Sequence, residues 1–114
     1  MEIKGEDYRV WYEATTGTVI CQGSLRLAGT EEYAPVNQVL NDAAEKHPEK
    51  IILDLRELEF LNSSGINMLS KFVIKMRQQG DTEILVKGSQ QIPWQGKSLK
   101  NLQRLMPKLI LEFI

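Results

Sequence analysis

The chain is predicted to fold as an α/β domain, a mixed and mostly parallel β-sheet with helices packed mainly on one face, in the order ββαβαβαβ. Three observations predict this. An aromatic and β-branched hairpin opens the chain, three amphipathic segments with helical spacing follow it, and short apolar runs separate and close them. Strands alternating with helices imply parallel neighbours joined by right-handed crossovers. Three helices leave the other face of the sheet partly open.

Residues 8–14 are rich in aromatic and β-branched types and read as a strand. Thr15-Thr16-Gly17 supplies a turn, with Gly17 free to take a positive φ, and residues 18–22 read as the second strand of the hairpin. Gly23-Ser24-Leu25-Arg26-Leu27 is expected to lead out of the sheet. From Thr30, a candidate N-cap, to Lys46 the residues Tyr33, Val36, Leu40 and Ala43 recur at helical spacing, and His47-Pro48 closes the helix. Lys50–Leu55 is a nearly continuous apolar run, the pattern of a central strand covered on both faces. The six residues Arg56–Leu61 read as a connection to a second helix over 63–79, with Ile66, Leu69, Phe72 or Val73, and Met76 buried and Gly80 as its C′ residue. Glu83–Val86 is a short strand, and Leu99, Leu102 and Leu105 mark a third helix that Pro107 ends. Leu109–Ile114 reads as the terminal strand, so residues 1–114 are expected to form one domain.

Composition narrows the function classes. With 42% hydrophobic and 25% charged residues the chain can bury a core. A net charge of −1, with both signs interspersed, argues against direct nucleic-acid binding. No apolar stretch reaches the roughly 20 residues a bilayer span needs, and Met1–Asp7 carries charge where a signal core would be apolar. Cys21 is the single cysteine, so an internal disulfide is impossible and a reducing, cytoplasmic setting is expected. Its apolar surroundings suit a buried structural thiol. His47, the single histidine, sits at a helix end with no candidate partner and is expected to be a solvent-exposed capping side chain.

Enzyme signatures are lacking: there is no glycine-rich phosphate loop, no cysteine or histidine cluster with metal spacing, and no nucleophile–base set. No cofactor or metal is expected. Asp54 interrupts the apolar run near the expected carboxyl end of its strand, where α/β sheets bind ligands and partners, although a structural hydrogen bond would explain it equally well. Asn62-Ser63-Ser64-Gly65 is the most informative segment. Asn62 suits an N-cap, which places Leu61 and Ile66 at the two positions of a hydrophobic staple. Ser63 and Ser64 then fall in the first helical turn, where free N–H groups and the positive dipole end favour a phosphate. A well-capped helix start accounts for the same residues.

These residues resemble the STAS domain family, the anti-sigma-factor antagonists and their relatives. The likeness rests on Ile51–Leu55, the connection after it, Leu61-Asn62-Ser63-Ser64-Gly65-Ile66 and a helix ending at Gly80; Gly23-Ser24-Leu25 similarly matches a Gly-x-Leu after the second strand. It implies a STAS-like fold and a non-enzymatic, cytoplasmic bacterial signalling protein that acts in transcription regulation through partner switching. The implied partners are a serine kinase of the anti-sigma-factor type (GHKL-type) and a PP2C-type phosphatase, without nucleic acid or membrane. Ser63 matches the family's phosphorylated serine, and Asn62, Ser64, Gly65, Asp54, Ser24 and Arg26 complete the implied partner surface. Two positions depart from the family pattern. Asn62 replaces an aspartate, keeping the capping ability and removing a charge, and Ser24 and Arg26 stand where an acidic pair is usual. Asn62 and Arg26 both lean toward an alternative, a constitutive STAS interaction subunit without phosphorylation; a second alternative, supported by no extra motif, is a sensor of a nucleotide or lipid lying over the helix start and Asp54.

Overall fold

The computed structural model describes residues 2–114. Nine elements follow one another: β1 (Glu2–Lys4), β2 (Tyr8–Glu13), β3 (Thr18–Leu25), α1 (Gly29–Lys46), β4 (Lys50–Leu61), α2 (Ser63–Gln79), β5 (Glu83–Gly88), α3 (Gln95–Leu105) and β6 (Ile110–Phe113). The six strands lie in the sheet in sequence order. β1, β2 and β3 pair antiparallel, whereas β3 to β6 are parallel. Each parallel crossover steps in the same direction, so the right-handed rule puts all three helices on one face. That face holds the core, built from Val10, Val19, Leu53, Ile84 and Val86 of the sheet against Tyr33, Val36, Phe72, Val73 and Leu99 of the helices.

The sequence order gains an N-terminal strand. Glu2-Ile3-Lys4 carries one apolar residue, too little for a strand pattern, but Ile3 pairs with Val10 on the hairpin's free edge. The hairpin turn forms as expected, with Gly17 at φ 69°.

A larger correction concerns the middle of the sheet. Gly23-Ser24-Leu25 does not leave it, and Arg56–Leu61 is no loose connection: both continue their strands, pairing through Gly23↔Leu58, Ser24↔Phe60 and Leu25↔Leu61. The register explains why the pattern misled. Ile20 to Gln22 on β3 runs against Asp54 to Glu57 on β4, and Gly23 to Ser24 against Leu58 to Phe60, so β4 carries one extra residue at each step. These two bulges break the period of two. Leu55, Leu58 and Leu61 therefore all face the core at a spacing of three, within a strand.

β4 is also covered on one face only. Ile51, Leu53 and Leu55 are buried, while Ile52 and Asp54 between them face the bare side. The α1 start differs as well: Ala28 occupies the cap position and offers no side-chain bond, so Thr30 is not the cap. His47 is half-buried, its ring edge-on to Tyr12 at 5.7 Å, and so is not the free capping side chain expected. α2 spans the expected residues and ends at Gly80 with φ 85°.

Candidate functional site

The carboxyl ends of β3, β4 and β5 lead directly into α1, α2 and α3, so three helix N-termini gather at one edge of the sheet. In such sheets this edge is where partners and ligands bind. Asn62 is the residue around which it is built.

Asn62 caps α2 in extended conformation, φ −79° and ψ 176°. Its Oδ1 accepts from the Gly65 N–H at 3.0 Å, one of the donors a helix start leaves unpaired. The same oxygen accepts from the Tyr33 hydroxyl at 2.6 Å, and the Asn62 Nδ2 donates to the Leu27 carbonyl at 2.8 Å. The amide thus fixes α1, α2 and the β3–α1 turn to one another. An aspartate could accept the first two bonds but would set a carboxylate oxygen against the Leu27 carbonyl. That gives asparagine a physical reason here.

Tyr33 is fully buried, and burial pushes its phenol above the ordinary value. Its hydroxyl also lies 3.2 Å from the Leu25 carbonyl. Gly65 is buried with an ordinary backbone, so conformational freedom does not explain it; a Cβ there would stand 2.7 Å from the Tyr33 hydroxyl and would collide with Leu61. The motif glycine makes room for the tyrosine that holds the cap.

The two serines differ. Ser64 is half-buried, its Oγ 3.4 Å from the Gly29 N–H, and it lines a cleft of about 310 Å³ between α1 and α2 together with Thr30, Asn37, Asn67 and Lys71. Ser63 is exposed in the first turn. No acidic residue shares that turn, so nothing offsets the positive end of the helix dipole. Leu61 is buried and Ile66 half-buried, both packed on the core, as a staple requires.

Ser24 and Arg26 also reach this edge. Ser24 pairs with Phe60, and the Arg26 guanidinium lies 4.6 Å from the centroid of the Phe60 ring, which is 38% exposed. Asp54 does not join them. Because β4 runs on to Leu61, Asp54 sits mid-strand on the bare face, about 20 Å from the helix start by strand rise. Burial alone would raise its carboxyl, but two hydrogen bonds from the Arg56 side chain and one from its N–H hold it below the ordinary range. A small ligand does not span both places.

Sequence reasoning missed Tyr33 and Phe60 as site residues, and also Gln95. Gln95 is completely buried; its Nε2 donates to the Leu55 and Leu58 carbonyls at 2.7 and 3.0 Å, and its Oε1 accepts from the Ser89 N–H at 2.7 Å. The Trp94 indole N–H also donates to Leu58, at 3.0 Å. These bonds cover β4 carbonyls beyond Asp54, where the pairing of β4 with β5 ends. Gln95 stands among polar and turn-forming neighbours, so no local pattern marked it as buried. Cys21 is buried, which together with the nearby Asp54 charge pushes its thiol up to about 12, so it is an unreactive core group. Among the described residues, no cluster of His, Cys, Asp or Glu is placed to hold a metal, and no helix is long and apolar enough to cross a membrane.

A mixed sheet with helices on one face and a capped serine pair at its carboxyl edge defines a STAS-type interaction fold. The STAS domain model matches residues 25–93, more than half of the chain, and the protein belongs to that family. No curated protein matches it in sequence. Among solved structures the fold is similar to a chain in the crystal structure of the diguanylate cyclase SiaD in complex with its activator SiaC from Pseudomonas aeruginosa: TM-score 0.72, 13% identity, 99% of this chain and 97% of that one covered. SiaC of Pseudomonas aeruginosa alone gives 0.67 and 14%, over 99% and 93%. The apo-SiaC crystal structure from the same organism gives 0.72 and 12%, over 99% and 96%.

Proposed function

We propose that the protein is a cytoplasmic partner-switching regulator whose binding surface is the edge around α2 and whose switch is phosphorylation of Ser63. The observation that carries this reading is the contrast between the serines: Ser63 is exposed in an uncompensated helix start, whereas Ser64 is half-buried against α1. The kinase is of the GHKL anti-sigma-factor type and a PP2C-type phosphatase reverses the step. In the forward step the Ser63 Oγ attacks the γ-phosphorus of ATP, its proton passes to a base of the kinase, and ADP leaves. The protein supplies a substrate hydroxyl and a docking face rather than catalysis.

Phosphate adds close to two negative charges to a packed contact surface. A cost of about 3 kcal/mol there weakens binding by more than 100-fold. Incubation with a kinase of this type and ATP, followed by mass spectrometry, should place one phosphate on Ser63 and none on Ser63→Ala. Partner affinity should fall at least about 100-fold on modification. Phosphate elsewhere, or none, sinks the switch.

A second reading keeps the partner surface and drops the switch. Asn62 favours it, since all three of its side-chain bonds are structural and none presents Ser63 to a kinase. The bound partner would then be an enzyme that the domain activates, as SiaC is the activator of the diguanylate cyclase SiaD. In that case affinity is indifferent to Ser63→Asp.

A further inference from the structure

The residue standing where the family pattern has an acid is placed to do something an acid could not. Arg26 follows Leu25, which pairs with Leu61, and it lies between two hydrogen bonds that tie this stretch to Asn62: Asn62 N–H to the Leu25 carbonyl at 3.2 Å and Asn62 Nδ2 to the Leu27 carbonyl at 2.8 Å. Arg26 is therefore held beside the residue that precedes Ser63. Neighbouring strands lie about 4.8 Å apart and successive Cα atoms about 3.8 Å apart. These spacings put the Ser63 Cα no more than about 9 Å from the Arg26 Cα, a gap that an extended arginine and a phosphoserine side chain can close between them.

Arg26 is exposed and lies over Phe60. Among the described residues the ion pairs are Arg9 with Glu2 and Arg56 with Asp54, so Arg26 carries a charge with no carboxylate upon it. Other cations are less suited. Lys71 lines the α1–α2 cleft on the side of Ser64, and Arg56 is held by two side-chain bonds to Asp54 on the bare face. The carboxylates near this edge are Glu59 of β4 and Glu31 and Glu32 in the first turn of α1, with Glu32 bonded to the Ala28 N–H. They oppose a second negative group, and a nearby cation would offset that repulsion.

We propose that Arg26 is the intramolecular partner of a phosphate on Ser63, and that forming this pair lifts the guanidinium off Phe60 and uncovers the ring. The inference rests on the reading of Ser63 as the modified residue. A bidentate guanidinium–phosphate pair is stronger than a cation–π contact in water, so the exchange runs toward the phosphate. Phosphorylation then changes two things at once. The edge loses a free cation and gains an exposed aromatic, which is a different surface and not merely a more negative one.

The test uses the full chain with phosphoserine installed at position 63 by encoded incorporation, so that no kinase is needed. A phosphorus NMR titration reads the second phosphate ionisation, ordinarily near 6, and it should lie about half a unit higher in Arg26→Gln than in the phosphorylated wild type. The Phe60 ring protons should shift on phosphorylation in the wild type and stay in place in Arg26→Gln. Equal titration in the two proteins overturns the proposal, and so does a shift produced by Lys71→Gln in place of Arg26→Gln. Failure here leaves the kinase assay at Ser63 standing, while failure of that assay leaves the ionisation result intact. The two inferences are separable.

Discussion

The starts of α1 and α2 lie at the same edge of the same sheet, yet they are finished in opposite ways. α1 has Ala28 at its cap and places Glu31 and Glu32 in its first turn, Glu32 reaching back to the Ala28 N–H at 3.1 Å. Its dipole is offset by its own carboxylates. α2 is capped by the neutral amide of Asn62 and has no acid in its first turn. One helix start is closed to an anion and the other is left open to one. The open one carries the exposed serine, and its rigidity comes from Tyr33, a residue of the closed helix.

The largest expected contrast is between their cap positions. Asn62→Ala removes the Gly65 cap bond, leaves the Leu27 carbonyl short of a partner and limits the Tyr33 hydroxyl to the longer contact with the Leu25 carbonyl, so it should cost about 2 kcal/mol in urea denaturation. Thr30→Ala, at the position that looks like a cap in the sequence, should stay within about 0.5 kcal/mol. Equal losses would mean that the two starts are held alike.

Next come the glycines. Gly65→Ala pushes on Leu61 and on the Tyr33 hydroxyl and should cost about 1–3 kcal/mol, with the tyrosine environment visibly changed in near-ultraviolet circular dichroism. Gly29, at φ 63°, has nothing near its absent Cβ, so alanine there costs only the backbone strain of about 1 kcal/mol and leaves the tyrosine signal alone. The smallest effect belongs to charge. Glu32→Gln should lower the melting free energy by about 0.5 kcal/mol or less, and the difference should shrink with added salt.

Features that depend on near neighbours in the chain were legible before folding. The Asn62 cap, the 63–79 helix, its stop at Gly80 and the Gly17 turn were readable because each rests on local backbone requirements. Asn-Ser-Ser-Gly could be singled out for the same reason. What the motif means physically was not readable. Gly65 looks like a flexible residue but is a packing residue, because Tyr33, more than thirty positions earlier, occupies the space a side chain would take.

Strand lengths were equally hidden. Leucines at 55, 58 and 61 break the strand period, and only the pairing of β3 with β4 shows that two bulges absorb the mismatch. That extension removes Asp54 from the site and brings Phe60 into it, under the Arg26 that the family resemblance had already named. The sequence by itself determined the order of the main elements, the family and the capped helix start, because local periodicity and capping chemistry suffice for those. Only the tertiary structure decided which residues share the α2 edge, since bulges and a buried tyrosine act between segments far apart in the chain.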